Sequence, residues 1–208
     1  MKIAPSVLAA DITNLKIELE RVSNSDYIHL DIMDGHFVPN LSYGPGFVAG
    51  LKKISNVPFD VHLMLSNPSK YIKSFAEAGA DIISFHVESE DDIEKTIELI
   101  NSFGIKPALA LKPNTDIETV LPYLDKLFMV LIMTVEPGFG GQSFMPVPLE
   151  KIQKIREKSK DILIQADGGI GRANIEYCKE MGVDISVCGT SVFSAKDPKS
   201  EIEFLQKF

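Results

Sequence analysis

Four side chains could do chemistry together: His29, Asp31, His62 and Asp167. In a β-strand, residues two apart share a face. His29, Asp31 and Met33 in the run Ile28-His29-Leu30-Asp31-Ile32-Met33 therefore project the same way. His62 and Met64 do so in Asp60-Val61-His62-Leu63-Met64, and Asp167 closes Ala166-Asp167 just before Gly168-Gly169. Two imidazoles and two carboxylates make an N2O2 donor set suited to Zn2+, Mn2+, Fe2+ or Co2+. Any one of these residues alone is an ordinary strand-end hydrogen bonder or cap. All four histidines (His29, His36, His62 and His86) fall near the ends of expected strands, and gathered at one mouth the set points to a cation site.

Two glycine-rich segments suggest an anion beside that cation. One is Glu136-Pro137-Gly138-Phe139-Gly140-Gly141-Gln142; the other is Cys188-Gly189-Thr190-Ser191. Glycine lets backbone N–H groups approach a phosphate closely, and a helix starting after Gly189 would aim its positive end inward. Gly168-Gly169 and Gly189-Thr190 follow what read as the seventh and eighth strands, where barrels often hold phosphate. Arg21, Arg156 and Arg172 are the only arginines. The first two are expected on solvent-facing helices, so backbone amides should carry most of the anion. Met33, Met64 and Met133 sit near strand ends, as core or as an apolar cover over a reactive intermediate.

These groups need elements to hold them. Runs rich in Val, Ile and Phe alternate with helical patterns along the chain. The expected strands are Ile3–Ser6, Tyr27–Met33, Phe59–Met64, Ile82–Val87, Lys106–Leu111, Leu127–Val135, Ile162–Ala166 and Ile185–Cys188. Between them, Leu15, Leu19 and Val22, or Ile93, Ile97 and Ile100, repeat at helical spacing. Asn67 before Pro68 should cap one helix, and Thr115 the fifth; Gly79, Gly104 and Gly182 should end others. Eight strand–helix units predict parallel strands with right-handed crossovers, hence a single-domain (β/α)8 TIM barrel over residues 1–208. An open doubly wound sheet would want a glycine-rich first turn, but Ser6-Val7-Leu8-Ala9-Ala10-Asp11 has no glycine.

Composition narrows the function classes. The 208 residues are 45% hydrophobic and 24% charged, as in ordinary globular chains, which excludes disorder. No apolar run reaches the ~18 residues of a membrane helix, and Met1-Lys2-Ile3-Ala4-Pro5 lacks a signal-peptide layout. The net charge of −8 argues against nucleic acid. Cys178 and Cys188 make neither a metal spacing nor a disulfide framework. A cytoplasmic homo-oligomer with no membrane or nucleic-acid partner is expected.

Ala4-Pro5-Ser6-Val7-Leu8, the His29-to-Asn40 block, Asp60-to-Met64, Met133-to-Phe144 and Asp167-Gly168-Gly169 resemble, in order and spacing, the ribulose-phosphate 3-epimerase family. Ala166 and Gly171 depart from its commonest pattern without replacing a reactive group. The resemblance implies a (β/α)8 enzyme of the pentose phosphate pathway that interconverts D-ribulose 5-phosphate and D-xylulose 5-phosphate. A related family with similar motifs epimerises allulose 6-phosphate. It further implies one divalent ion per chain on His29, Asp31, His62 and Asp167, with Asp31 and Asp167 also as acid and base. Ser6 and His62 would touch the sugar phosphate. So would Gly138, Gly140, Gly141, Gly168, Gly169, Gly189 and Thr190.

Overall fold

The computed structural model describes all residues from Met1 to Phe208. Its eight strands are β1 (Lys2–Pro5), β2 (Ile28–Met33), β3 (Phe59–Met64), β4 (Ile82–His86), β5 (Lys106–Leu111), β6 (Met129–Met133), β7 (Leu163–Asp167) and β8 (Ile185–Cys188). All pair in parallel, in the order β1-β8-β7-β6-β5-β4-β3-β2. The ring closes between β1 and β2 through one parallel bridge, Ser6 to His29. This is the expected TIM barrel, and no helix is long and apolar enough to cross a membrane.

Strand parity sorts the side chains. Ile28, Leu30 and Ile32 of β2 join a 43-residue apolar layer between the sheet and the helices outside it. The alternate positions of the strands fill the barrel. Ala4, Ile82, Ala108, Met129 and Ile185 form its apolar base, and Ala110, Leu131 and Met133 a second cluster with Val135. His29, Asp31, Asp60, His62, Ser84, Gln165 and Asp167 are buried among the polar residues.

Around the sheet lie α1 (Leu15–Arg21), α2 (Pro45–Lys52), α3 (Ile72–Glu77), α4 (Ile93–Ser102), α5 (Lys151–Lys158), α6 (Ile175–Glu180), α7 (Thr190–Phe193) and α8 (Pro198–Leu205). Asp92 caps α4 by accepting from Lys95 N at 3.0 Å, and Ile97 and Ile100 bury its inner face. Gly79, Gly104 and Gly182 follow their helices with φ of 100°, 71° and 94°, left-handed backbone that glycine adopts at least cost.

Local expectations fail in places with identifiable causes. The β5–β6 crossover has no α-helix, only 3-10 turns at Ile117–Thr119 and Leu121–Lys126. Pro122 within it cannot donate and would clash with the preceding turn of an α-helix. The cap there is Asp116, while the Thr115 hydroxyl donates to Glu88. Asn67 caps nothing; its amide donates to Glu90 at 3.0 Å, and Asp91 accepts from Ser69 N instead. Nor do Arg21 and Arg156 simply face solvent. Arg21 holds Glu18 and Ala195 O; Arg156 bridges Ile162 O, Gly182 O and Asp184. Both cysteines are buried and unpaired, and burial pushes the Cys178 thiol up to about 12.

Leu30 sits between His29 and Asp31 with its side chain in the outer layer and no exposure. Leu30→Ala should lower unfolding free energy by about 2–5 kcal/mol in urea titration. A loss under about 0.5 kcal/mol would contradict that packing.

Candidate active site

At the C-terminal ends of the strands lies a cavity of about 690 Å3, with Asp31, Asp167, Met33, Met64 and Met133 in its lining. Beneath it four atoms face one point: His29 Nε2, His62 Nδ1, Asp31 Oδ1 and Asp167 Oδ2. Asp31 Oδ1 stands 3.4 Å from each imidazole nitrogen. Asp167 Oδ2 stands 3.6 Å from His29 Nε2 and 3.5 Å from His62 Nδ1. Four atoms about 2.1 Å from one ion at tetrahedral angles stand roughly 3.4 Å apart. His29 Nε2 and His62 Nδ1 are buried without a hydrogen-bond partner, an arrangement that costs free energy unless a cation takes both lone pairs. The residues present therefore fit a divalent ion.

Each ligand is set by what stands behind it. Asp60 Oδ2 lies 2.7 Å from His29 Nδ1 and accepts from Gln165 Nε2 at 2.6 Å. A carboxylate there puts the His29 proton on Nδ1 and leaves Nε2 bare. The far nitrogen of His62, Nε2, lies 2.9 Å from His86 Nε2, and His86 Nδ1 lies 3.0 Å from Glu88 Oε2. Ser6 Oγ donates to Asp31 Oδ2 at 2.6 Å, leaving Oδ1 for the ion. Asp34 holds the loop beyond β2 through the amides of His36, Phe37 and Ser66, each at 2.8 Å.

Electrostatics agree with the geometry. Burial disfavours charge on His29, yet Asp31 and Asp60 raise its pKa well above the ordinary value, with help from Asp167. Burial opposes charge on His62 as well, and Asp167 and Asp31 raise it. Desolvation would lift Asp31 and Asp167, but the two imidazoles hold both below the usual carboxylate range. Burial takes His86 down to about 4, so it is neutral. Glu88 is lifted by burial but brought to about 2 by His86, Thr115 and the Lys112 amide.

Most of the expected site residues meet here. Ser6, Gly138, Gly140, Gly141, Gly168, Gly169, Gly189 and Thr190 all line the cavity. His62 does not. It is fully buried, one step below Met64 on the same face of β3, so it meets the ion position from underneath rather than the cavity. His36 is exposed on the loop, its Nδ1 2.9 Å from Asp34 O. The three methionines are at most 5% exposed and still form part of the cavity wall, so they are core and apolar lining at once. Asp60, Gln165, His86 and Glu88 were not foreseen as site residues. The signal was present for two of them: Asp60 and Gln165 lie two positions before His62 and Asp167 on the same strand faces.

The glycines are fixed by space. A Cβ on Gly168 would stand 2.4 Å from Val135 Cγ2, and one on Gly169 2.6 Å from Phe144 N, with φ of 126° and 68°. At Gly171 it would stand 2.9 Å from Ser191 Cβ, which accounts for glycine at that position. The amides of Gly168, Gly169 and Gly189 donate to no backbone acceptor. Arg172 reaches the cavity wall, but its guanidinium is committed to Glu201 at 2.6–3.0 Å and stacks over Phe204.

A (β/α)8 barrel with a buried His2Asp2 cluster under a glycine-lined cavity defines a class of barrel enzyme whose strand ends could hold a divalent ion. The Ribulose-phosphate 3 epimerase family model matches residues 2–193. Relatives carrying the name ribulose-phosphate 3-epimerase include one from Helicobacter pylori, 44% identical over 99% of this chain and 97% of its own. Another, from Bacillus subtilis, is 41% identical over 97% and 96%. This chain belongs to the ribulose-phosphate 3-epimerase family. Among solved structures, 3-hexulose-6-phosphate synthase from Salmonella typhimurium superposes with a TM-score of 0.75 at 15% identity, covering 100% of this chain and 97% of that one. KGPDC from Streptococcus mutans in complex with D-R5P gives 0.78 at 13%, covering 99% and 95%. These two share the barrel.

Against the effect of burial, Asp31, Asp60 and Asp167 raise His29, and Asp167 and Asp31 raise His62, above the ordinary imidazole value, so protons compete with a divalent ion for the same nitrogens. Apparent affinity should therefore fall as pH drops. Calorimetric titration with Zn2+ in two buffers of unlike ionisation heat should report net proton release near pH 7. Heats that do not depend on buffer would contradict that competition.

Proposed function

We propose that this chain is a metal-dependent ribulose-phosphate 3-epimerase, one catalytic domain over residues 1–208 that interconverts D-ribulose 5-phosphate and D-xylulose 5-phosphate at C3. The observation that carries the reading is the convergence of two carboxyl groups with two imidazole nitrogens at the floor of the cavity. The names of the full-length relatives support the substrate.

Asp31 and Asp167 rise from β2 and β7, with β1 and β8 between them round the ring, and so approach a bound carbon from different sides. One carboxylate takes the C3 proton, and the electron pair passes into the adjacent C2 carbonyl to give an ene-diolate. The other, already protonated, returns a proton to the opposite face of C3; for the reverse reaction their roles exchange. Base catalysis alone gives roughly 10²–10⁴-fold, short of the ~10⁶ typical of enzymes. A divalent ion, when bound, would supply Lewis-acid stabilisation of the developing negative charge worth several kcal/mol. His29 and His62 would hold that ion without adding negative charge. The Ser6 hydroxyl fixes Asp31, and the three methionines keep water from the reacting carbon. Phosphate would rest on amides of Gly168, Gly169, Gly189 and Thr190, with the Gly138-to-Gly141 loop closing beside it. Zn2+, Mn2+, Fe2+ or Co2+ suits the donors. A homo-oligomer in the cytoplasm completes the proposal; a rice relative is named as a cytoplasmic isoform.

In deuterated water the metal-loaded enzyme should place deuterium at C3 of the newly formed epimer. Asp167→Asn should abolish net epimerisation yet permit slow exchange from the epimer whose proton faces Asp31, and Asp31→Asn the reverse. Metal content is measured in each variant first. A metal-replete Asp167→Asn enzyme that epimerises at a substantial fraction of the wild-type rate would reduce Asp167 to a ligand.

For the phosphate, Gly189→Asp places a negative charge beside the expected anion and should lower kcat/KM for ribulose 5-phosphate by at least about 100-fold. Arg172→Ala should change it less than about threefold, since that guanidinium already serves Glu201. Loss of most activity in Arg172→Ala would overturn the backbone-amide account.

A further inference from the structure

Behind His62 stand two side chains, His86 and Glu88, to which the epimerisation above assigns no role. His62 Nε2 is 2.9 Å from His86 Nε2, and His86 Nδ1 is 3.0 Å from Glu88 Oε2. Both imidazoles are fully buried. The ring of Phe37 lies against His86, centroids 4.8 Å apart, and Lys112 Nζ sits 4.1 Å from the Phe37 centroid. The two imidazole planes lie 25° from parallel with centroids 5.0 Å apart, so the rings meet edge to edge through their Nε2 atoms.

Hydrogen-bond bookkeeping leaves one arrangement. Glu88 Oε1 accepts from the Lys112 amide at 2.8 Å and from the Thr115 hydroxyl. With two donors on Oε1 and no hydrogen of its own as a carboxylate, Glu88 accepts throughout, so His86 Nδ1 carries the hydrogen facing Oε2. A neutral His86 then offers a lone pair at Nε2, and only a hydrogen on His62 Nε2 completes the 2.9 Å contact. That leaves His62 Nδ1 bare, and this is the orphaned atom pointing at Asp31 and Asp167. The opposite arrangement, with hydrogen on His86 Nε2, would place the His62 hydrogen on Nδ1 and block the ion. Two neutral imidazoles in contact can shift from one state to the other by moving hydrogens along the chain. The outer group decides between them.

We infer that Glu88 and His86 are positioning residues that hold His62 in its Nδ1-ligating form through a carboxylate–imidazole–imidazole relay. The inference rests on the metal-centre reading above. It also explains an asymmetry: His29 binds through Nε2 with Asp60 directly behind it, whereas His62 binds through Nδ1 with its carboxylate one ring further away. Removing an orienting partner of a metal-bound histidine usually weakens metal binding by about 10–100-fold.

The test compares wild type with Glu88→Gln, which keeps shape and loses charge, and with His86→Phe, which keeps a ring and loses both nitrogens. Zn2+ affinity is read by chelator competition, the visible spectrum after Co2+ substitution, and the His62 ring protons by nitrogen-resolved NMR of the Zn2+ form. Wild type should bind close to one Zn2+ per chain and show a protected N–H on His62 Nε2. Glu88→Gln should weaken Zn2+ binding about 10–100-fold and shift the Co2+ bands in a metal-free protein that still melts cooperatively. His86→Phe should lose the protected N–H. Wild-type affinity and spectrum in a folded Glu88→Gln protein would overturn the relay while leaving the metal centre standing. Failure of wild type itself to bind Zn2+ would overturn the metal centre, and the relay with it.

Discussion

Two carboxylates cannot stay buried side by side without a cation, and the rest of this structure answers to that requirement. Asp31 and Asp167 are 5% and 9% exposed and share one point with two imidazoles. An unpaired buried charge costs several kcal/mol, and pairing restores the balance only when geometry and outer hydrogen bonds are good. Hence Ser6 stands behind Asp31, Asp60 and Gln165 behind His29, and His86 and Glu88 behind His62. The polar content of the barrel interior is largely the support for four atoms.

That support has to be rigid, and the barrel supplies rigidity cheaply. At the foot of the barrel Ala4, Ile82, Ala108, Met129 and Ile185 pack as one apolar cluster, and the outer layer packs 43 side chains between sheet and helices. Closure at β1–β2 runs through the bridge between Ser6 and His29, with Ile3 O accepting from the Asp26 and Tyr27 amides. A residue that orients Asp31 is thus joined, through its backbone, to a metal ligand at the narrowest seam of the sheet. Structure and site share a joint there, so disturbing either should be felt in both.

The anion is treated by a different rule. A chain of net charge −8 that is to take a phosphate must create positive potential locally. Here the arginines serve elsewhere: Arg172 with Glu201, Arg156 with Asp184, Arg21 with Glu18. What faces the cavity instead is backbone. Gly168 and Gly169 leave no room for any side chain, and their amides remain free of backbone acceptors. Fixed amide dipoles attract an anion and need no reorganisation as it binds.

Much of this was written in the chain itself. Alternation of apolar runs specified eight parallel strands, and β3, β5 and β8 begin and end where their residue patterns do. Parity put His29 with Asp31 and His62 with Met64, because a strand repeats every two residues whatever surrounds it. Local rules failed where distant residues competed. Thr115 turned from capping a helix to donating to Glu88, Asn67 from capping to Glu90, and Arg156 from solvent to Ile162, Gly182 and Asp184. The partners behind the ligands were likewise invisible, since Asp60 meets His29, and His86 meets His62, only across neighbouring strands. Which nitrogen of each imidazole faces the ion was settled by those contacts. Sequence determines what a segment can form and which way its side chains alternate; the pairing of groups far apart along the chain, and with it each histidine's tautomer, exists only once the barrel has closed.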